Sequence, residues 1–474
     1  MVQPLFYLFK TINSCYLFDS NRNNIYPISP DAYQILFNLK DGDITLEDAQ
    51  NSSQEISELI KNGLLSVKHV KKIEHVYTPF AEHFLARRLQ KVTLQLTQNC
   101  NFRCAYCHYT CNDGSQRTHS SKRMSVEVAK AAILYLRDHS VDTQSVYIGF
   151  YGGEPFLEFS LLKEVVAFCE DQLRGKDIHF TVTSNGTLLT DDVIEFLAAH
   201  KFVLLVSLDG PREIHNRSRI FSGGKGSFDV VIDVLRNIYD KYPDYFKTIS
   251  INMVLNPSED FDKINSLFSD YNFLKKLNVS STIIDDIGAT EKNVFSESYV
   301  EKERYHVFLK YLSLANRFPS KKCSPIYMNY VGSIKKNLEE LSERQSFLDV
   351  CAPGGPCVLG ESRLMVTVDG DFIPCERVSE IADPMIIGNV RDGINMEKVR
   401  TLLNIAQSTS ESCKNCWAFL HCHLCAKYSE KDGALSSEMR LNYCEDSRKG
   451  AENKLRQYAL IREMNKYYNS SVII

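Results

Sequence analysis

Three patterns of apolar and polar positions divide the chain. From Lys91 onwards, short apolar runs alternate with helical patterns, and six of the runs indicate strands: VTLQLT, SVYIGF, IHFTVTS, FVLLVSLD, TISINMVLN and LNVSSTII. Helical patterns lie between them, near residues 125–138, 158–173, 190–200, 226–240 and 258–272. Strand–helix–strand order produces parallel strands with crossover helices, so this segment predicts an α/β fold. Six strands are too few for a closed eight-stranded barrel and favour an open, partial (β/α)6 barrel.

The first 85 residues have a different pattern. FYLFKT, CYLFD and NIYPI alternate or run apolar, and SNRNN provides a turn signal between the last two. Helical patterns follow around Pro30–Leu39 and Ser53–Ile60, and LLSV then predicts another short strand. Strands combined with small helices favour a winged-helix-like α+β module over residues 1–85. Basic runs are short there, so DNA binding is not favoured.

After about residue 320 the pattern becomes irregular, with cysteine-rich segments such as CAPGGPC, DGDFIPCE and SCKNCWAFLHCHLC. Loops of this composition cannot build a large apolar core, so we expect them to fold around metal. The sequence therefore predicts three units: residues 1–85, residues 86–320 and residues 321–474.

Composition and charge exclude several classes of function. The 474 residues carry 55 basic and 59 acidic side chains, a balance that argues against a protein built to bind DNA or RNA. No apolar run approaches the ~18 residues of a membrane span. The N-terminus MVQPLFYLFK lacks the layout of a secretory signal. We expect a cytoplasmic protein without membrane contact.

The 15 cysteines change this picture, because they are clustered. Four lie between Cys100 and Cys111, and eight follow residue 350. A disulfide scaffold is typical of small secreted domains, so clustered thiols in a large chain of this kind point to metal binding. Cys15, Cys169 and Cys323 have no partner at ligand spacing and are expected to be free thiols.

The first cluster has a CxxxCxxC spacing: Cys100, Cys104 and Cys107 directly follow the first strand of the α/β segment. Parallel α/β folds place reactive groups at the carboxyl ends of strands. Zinc prefers four ligands, whereas a [4Fe–4S] cluster held by three cysteines keeps one iron free. The motif resembles that of the radical S-adenosylmethionine (SAM) superfamily, with Tyr106 at the usual aromatic position. Cys111 is expected to be a bystander.

Later strand ends offer groups that suit SAM. YGGEP follows the second strand, where two glycines permit close backbone approach and Glu154 can accept from an ammonium group. TSNG and SLDG follow the third and fourth strands, and Arg219 lies downstream. The resemblance implies SAM contacts from Tyr106, Gly152, Gly153, Glu154, Ser184, Asn185, Ser207 and Arg219.

The C-terminal cysteines resemble those of the SPASM domain, an extension that carries two auxiliary [4Fe–4S] clusters, and VTVDGDFIPCE is close to its hairpin motif. The resemblance implies one cluster on Cys351, Cys357, Cys375 and Cys425. It implies a second on Cys413, Cys416, Cys422 and Cys444. Only two residues separate Cys422 from Cys425, whereas the family usually has three, so the role of Cys425 is less certain. In some relatives one iron of an auxiliary cluster is left open to substrate, so Cys351 is also a less certain ligand. Zinc binding stays open as an alternative.

Together the resemblances imply three [4Fe–4S] clusters, bound SAM and reductive SAM cleavage to a 5′-deoxyadenosyl radical. The N-terminal module resembles a precursor-peptide recognition element, which binds a leader peptide by β-augmentation. We therefore predict a ribosomal-peptide maturase that forms thioether crosslinks of the ranthipeptide or sactipeptide type in a cysteine-rich precursor. Glu376, in PCERVSE, is the candidate catalytic base. A flavodoxin- or ferredoxin-type protein is the expected electron donor.

Two alternatives remain. An anaerobic sulfatase maturase, which oxidises cysteine or serine to formylglycine, shares both cluster sets. It would favour Asp where this chain has Glu376, and the N-terminal module has no evident purpose there. A non-catalytic iron–sulfur protein for electron transfer would need no SAM pocket, and the strand-end motifs count against it.

Overall fold

A computed structural model of the protein describes residues 2–110, 116–287, 293–354 and 357–468. At the N-terminus, three antiparallel strands form a separate sheet in chain order: β1 (Phe6–Lys10), β2 (Cys15–Asp19) and β3 (Asn24–Ile28). Three helices follow: α1 (Pro30–Asp41), α2 (Leu46–Ser52) and α3 (Gln54–Lys61). Each begins after a Ser or Thr whose side chain accepts a backbone N–H, the usual N-cap arrangement. The module is therefore α+β, and its winged-helix character stays a prediction.

The strand predicted at LLSV is wrong. Leu65 has a positive φ of 56°, and its N–H donates to Oδ2 of Asp19 at 2.6 Å. A side chain thus takes the hydrogen bond that a neighbouring strand would need. The short strand beyond the helices is instead β4 (Lys72–Ile73), which pairs in parallel with Val350 and Cys351 of the C-terminal region.

The six predicted parallel strands are confirmed as consecutive neighbours in one large sheet. Their near-continuous apolar sequences suit strands that are covered on both faces. They are β5 (Lys91–Thr97), β6 (Ser145–Gly152), β7 (Asp177–Ser184), β8 (Val203–Ser207), β9 (Ser250–Leu255) and β10 (Asn278–Ile283).

Helices cover this sheet and bury the largest core, which includes Leu94, Ile148, Val206 and Leu235. The five helical patterns predicted between the strands are all present. The helices up to β10 are α4 (Ala81–Arg87), α5 (Val126–His139), α6 (Phe159–Gln172), α7 (Asp191–Ala199), α8 (Arg212–Ser218), α9 (Phe228–Lys241), α10 (Pro243–Phe246), α11 (Phe261–Asn265) and α12 (Leu267–Asp270).

The cysteine-rich region is joined to the same sheet. After β11 (Val350–Cys351), strand β12 (Leu364–Val366) lies parallel to β5 and extends the sheet through an antiparallel meander. The remaining strands are β13 (Asp371–Ile373), β14 (Gly388–Asn389), β15 (Gly393–Ile394), β16 (Glu430–Lys431) and β17 (Ala434–Leu435). The segment that carries Cys375 is therefore anchored beside the strand that leads into the CxxxCxxC loop.

The expectation of irregular structure after residue 320 is only partly correct. Helix α13 (Glu297–Leu314) precedes this point, and in the described ranges five helices follow it: α14 (Tyr330–Glu340), α15 (Met396–Leu403), α16 (Ser410–Lys414), α17 (Ser437–Asn442) and α18 (Cys444–Tyr468). The 25-residue α18 begins at a cysteine and packs Leu455 and Ala459 against the N-terminal sheet. None of the helices in the described ranges is both long and apolar enough to cross a bilayer.

Candidate active site

One cavity of about 1150 Å³ lies at the carboxyl ends of the parallel strands. Residues from β6 to β10 line it, together with the CxxxCxxC loop and the segment around Glu376. The structure thus brings together the predicted residues of the first cluster and of SAM binding: Cys100, Cys104, Tyr106, Cys107, Gly152, Gly153, Glu154, Ser184, Asn185, Ser207 and Arg219.

The two glycines of YGGEP have a role that the sequence did not indicate. Gly152 has a φ of 141°, and a Cβ on Gly153 would overlap the carbonyl oxygen of Asn99. The N–H of Gly153 donates to the carbonyl oxygen of Thr97 at 2.8 Å. The glycines therefore let the end of β6 lie directly against the backbone before Cys100, besides lining the cavity.

Glu154 is almost fully buried and holds the next strand end in place. Its Oε1 accepts from the hydroxyl of Ser184 at 2.9 Å, and its Oε2 accepts from the backbone N–H of Asn185 at 2.8 Å. Burial raises the pKa of Glu154 to about 7, against the effect of these hydrogen bonds. A cationic amino group in the cavity would favour the charged carboxylate, which fits the predicted contact with the SAM ammonium.

Tyr106, Asp209 and Arg219 form a second buried group on the cavity wall. The hydroxyl of Tyr106 donates to Oδ2 of Asp209 and accepts from Nη1 of Arg219 at 2.5 Å. Nη1 of Arg219 lies 3.8 Å from the Asp209 carboxylate. Nε of Arg219 is buried without a hydrogen-bond partner among the described residues, so it remains a donor for an anionic ligand such as a carboxylate. Sequence reasoning found Arg219 and missed Asp209 as its partner.

The three thiols of the CxxxCxxC loop are desolvated. Burial raises the pKa of Cys100 to about 11 and that of Cys104 to about 12, and it also raises the pKa of Cys107. Binding to iron would therefore displace protons from all three. Across the described residues, no three His, Cys, Asp or Glu side chains are close enough to hold a single metal ion. Three thiols on one loop fit a cluster that is held by three cysteines.

A second cavity, of about 260 Å³, is lined by the four cysteines assigned to the second auxiliary cluster: Cys413, Cys416, Cys422 and Cys444. We call it the C-terminal thiol cavity. Arg440 lies in its wall, fully buried, and donates to the carbonyl oxygen of Leu424 at 2.7 Å. Its Nη2 has no partner within the described ranges. A buried cation with a spare donor fits a site that holds an anionic thiolate cluster.

The cysteines assigned to the first auxiliary cluster divide into three and one. The thiols of Cys357, Cys375 and Cys425 interact electrostatically with one another, and burial raises the pKa of Cys375 to about 11. Cys351 of β11 pairs with Ile73 of β4 and packs against an apolar cluster that includes Phe347 and Cys413. The structure thus groups Cys425 with Cys357 and Cys375 despite its unusual spacing, and it packs Cys351 against a different cluster of side chains.

Glu376 lines the active-site cavity and forms an ion pair of 3.4 Å with Arg363. Two further charged side chains of the cavity, Lys427 and Asp285, were not predicted from the sequence. Lys427, two residues beyond Cys425, forms an ion pair with Asp285 just after β10, and both line the cavity. The signal for them was only their position beside a cysteine and a strand end.

A buried polar network links the two sides of the site. Nε2 of Gln95 donates to the hydroxyl oxygen of Tyr109 at 2.7 Å and to Oε2 of Glu380 at 2.6 Å. Arg117 donates to the carbonyl oxygen of Val378 at 2.8 Å and lies over the ring of Tyr109. The network fixes the segment after Cys375 to the strand and loop that carry the first cluster.

The cysteines that were expected to be free thiols lie in regular elements or next to backbone carbonyls. Cys169 is fully buried on α6, and Cys15 begins β2. Cys323 donates to the carbonyl oxygen of Leu309 at 3.8 Å. Cys111 lies outside the described residues.

Comparison with known families agrees with this geometry. Residues 94–270 match the radical SAM superfamily model, and residues 357–417 match SPASM, an iron–sulfur cluster-binding domain. The chain carries a radical SAM domain and a SPASM domain. Neither match extends to residues 1–93.

Sulfatase-maturating enzymes are among the proteins to which this chain is similar. A cysteine-type anaerobic sulfatase-maturating enzyme of Clostridium perfringens is 24% identical over 360 residues, 73% of this chain and 90% of the relative. A serine-type anaerobic sulfatase-maturating enzyme of Bacteroides thetaiotaomicron is 27% identical over 205 residues, 42% of this chain and 45% of the relative. The solved structure of native anSMEcpe with bound AdoMet and Kp18Cys peptide has a TM-score of 0.56 at 21% identity, and the match covers 80% of this chain and 99% of that one. That likeness establishes a shared fold. The predicted SAM chemistry with an iron–sulfur domain is thus supported, and of the predicted functions the alternative, sulfatase maturation, fits these relatives better than thioether formation.

Proposed function

We propose that this protein oxidises a cysteine or serine side chain within a peptide segment to formylglycine. The observation that carries the proposal is the match to the cysteine-type relative, which spans 90% of that protein. The cavity agrees with it, because the predicted SAM contacts and the candidate base Glu376 line the same space. The activity requires SAM, a cluster on the CxxxCxxC loop and a low-potential electron donor of flavodoxin or ferredoxin type.

Cys100, Cys104 and Cys107 would hold the SAM-binding cluster. When bound, the cofactors supply a hydrogen-abstracting radical and an acceptor for the second electron. Glu154 and Arg219 would orient SAM, the first through its ammonium group and the second through its carboxylate. Both side chains are buried, so water competes little for their contacts and they can fix the orientation of SAM.

Glu376 would take the proton of the substrate thiol or hydroxyl. Its ion pair with Arg363 holds the carboxylate at the cavity wall. For cysteine, the side chain loses two hydrogens, its sulfur leaves as hydrogen sulfide, and water supplies the aldehyde oxygen. For serine, the loss of two hydrogens alone gives the same aldehyde. The Lys427–Asp285 ion pair also lines the cavity.

The test uses the reconstituted full-length protein under anaerobic conditions with SAM, a reductant and a peptide containing one cysteine. We expect 5′-deoxyadenosine together with a peptide aldehyde that reacts with a hydrazide. Glu376→Gln should retain SAM cleavage and lose most of the aldehyde, whereas Glu82→Gln, on an exposed helix, is the matched control. SAM cleavage with no aldehyde from either a cysteine or a serine peptide would overturn the proposal.

Thioether formation in a cysteine-rich precursor is the second candidate, and the N-terminal module is the observation that favours it. This module lies outside both family matches, and β1 and β3 are the edges of its sheet. An added peptide strand could pair with β3, although Pro27 lacks an N–H and Arg462 already donates to the carbonyl oxygen of Ile25 at 3.2 Å. This candidate predicts a peptide that loses two hydrogens and one alkylatable thiol without forming an aldehyde.

A further inference from the structure

The single tryptophan of the chain, Trp417, lies in the loop 416–422 and faces the N-terminal sheet. The ring of Tyr7 in β1 stacks on it with centroids 4.1 Å apart and an interplanar angle of 17°. Phe18 of β2 meets it edge-on at 6.1 Å. The hydroxyl of Ser20 donates to its backbone carbonyl at 2.7 Å. The N-terminal sheet therefore packs directly on a loop that carries two ligand cysteines.

Asn23, in the turn between β2 and β3, makes the most specific contact with this loop. It is fully buried with a φ of 53°, and its amide donates to the carbonyl oxygens of Glu340 and Ser342 at 2.8 and 3.1 Å. Because both amide hydrogens are used, its Oδ1 must accept from Nε2 of His421 at 2.9 Å. His421 immediately precedes Cys422, so Asn23 holds the backbone at that cysteine.

The same sheet also packs on helix α18, which begins with Cys444. Tyr16 donates to Glu463 at 2.8 Å, and Arg456 donates to the carbonyl oxygen of Lys10 at 2.8 Å. Apolar contacts accompany these bonds and form one cluster: Phe9, Tyr16, Phe18, Ile25, Leu341, Leu455 and Ala459. The sheet thus touches both elements that carry Cys416, Cys422 and Cys444.

We propose that the N-terminal sheet, residues 6–28, supports the loop 416–422 from outside the C-terminal thiol cavity, and that Tyr7 and Asn23 are positioning residues for the cluster held there. The support acts through Trp417 and His421, which are chain neighbours of the lining residues Cys416 and Cys422. The inference rests on the second auxiliary cluster of the proposed function. It implies that anything bound to the N-terminal module acts on this cluster through a few shared contacts. It also implies that deletion of residues 1–85 would damage the cluster, so such a deletion would not report on peptide recognition alone.

The support of the loop is tested first in iron-free, full-length protein by the emission of Trp417. Asn23→Gly keeps the left-handed backbone accessible and removes the amide, while Tyr7→Leu removes the stacked ring. We expect a red shift of the emission maximum in both variants, because Tyr7→Leu uncovers the indole directly and Asn23→Gly frees the loop at His421. Asn316→Gly is the matched control, because Asn316 is exposed after α13 and has a similar left-handed φ of 57°; it should leave the emission unchanged. Wild-type emission from both Asn23→Gly and Tyr7→Leu would overturn the support of the loop by the sheet.

The positioning role is tested after reconstitution with iron and sulfide. Asn23→Gly should lose up to about four irons per chain, the content of one [4Fe–4S] cluster, or shift the spectrum and potential of one cluster only. Unchanged iron content, spectrum and potential in this variant would overturn the positioning role. Failure of the cluster proposal itself gives a different result, since Cys413→Ala would then keep the full iron content.

Discussion

Gln95 donates a hydrogen bond of 2.6 Å from its Nε2 to Oε2 of the buried Glu380. Gln98 donates to the other carboxylate oxygen at 2.9 Å, so both oxygens are engaged. The contact joins β5, which leads into Cys100, to the segment that follows Glu376. It therefore sets the relative position of the SAM-binding loop and the candidate base.

Replacing Glu380 by Gln should lower the free energy of unfolding by about 1–3 kcal/mol, since one accepting oxygen becomes a donor in a buried network. Urea unfolding of the iron-free protein measures this. The yield of modified peptide per 5′-deoxyadenosine should also fall, because the base is displaced from the radical site. Glu82→Gln, an exposed partner of Arg400, should change stability by less than about 0.5 kcal/mol. Wild-type stability and product yield in Glu380→Gln would contradict the role of this network.

Gly153→Ala should prevent assembly of the SAM-binding cluster. Its Cβ would overlap the carbonyl oxygen of Asn99 and lie 3.0 Å from Cβ of Cys100, so the cysteine loop would have to move. We expect a loss of about four irons per chain and of SAM binding. Gly223→Ala, where a Cβ meets nothing within 4 Å, is the control. Full iron loading of Gly153→Ala would show that the loop tolerates the displacement.

The burial of Glu154 predicts a specific pH dependence of stability. Its pKa is raised from 4.5 to about 7, so the folded chain binds this proton more tightly than the unfolded chain. The resulting stabilisation is complete below about pH 4.5 and is lost as the pH rises through about 7, by about 3 kcal/mol in total.

The measurement compares iron-free wild-type protein with Glu154→Gln, which cannot titrate. The difference in unfolding free energy should move in favour of the variant between about pH 5 and pH 8. Other titrating groups affect both proteins equally and cancel in the difference. Two parallel pH profiles would mean that Glu154 does not titrate in this range.

The iron content of single cysteine variants should distinguish the thiols that hold the two auxiliary clusters from the thiols that hold no iron. Cys413→Ala and Cys375→Ala should each lose up to about four irons per chain. Cys323→Ala should lose none, because its thiol donates to the carbonyl oxygen of Leu309 and the sequence offers it no partner at ligand spacing. Cys351→Ala should lose less than Cys375→Ala, since Cys351 packs against a different cluster, which includes Phe347 and Cys413. Equal losses of iron from Cys351→Ala and Cys375→Ala would contradict this and show that Cys351 is a ligand of the same cluster.

The α/β region was predictable because its information is local. A buried parallel strand such as β8 is a continuous apolar run, and most of the predicted SAM contacts, such as Glu154 and Ser207, lie at or next to the end of a strand. The cysteine spacings are equally local. In the structure the three thiols of the CxxxCxxC loop, Glu154 and Arg219 line one cavity.

Contacts between distant segments were not predictable. Gln95 and Glu380 are 285 residues apart, and neither has a neighbouring pattern that signals the other. Helix α18 was missed because its apolar side chains, such as Leu455 and Ala459, are sparse among charged residues. The error at Leu65 arose because Asp19, far away in the chain, supplies the bond that ends any strand there.

The most direct test of the account follows one hydrogen atom. A peptide whose single cysteine carries deuterium at both Cβ positions is incubated anaerobically with the reconstituted protein, SAM and reductant. The account predicts that deuterium appears in 5′-deoxyadenosine and that the peptide aldehyde retains the other deuterium. Unlabelled 5′-deoxyadenosine together with a crosslinked peptide that keeps both deuterium atoms would contradict it, because the hydrogen would then have come from another carbon.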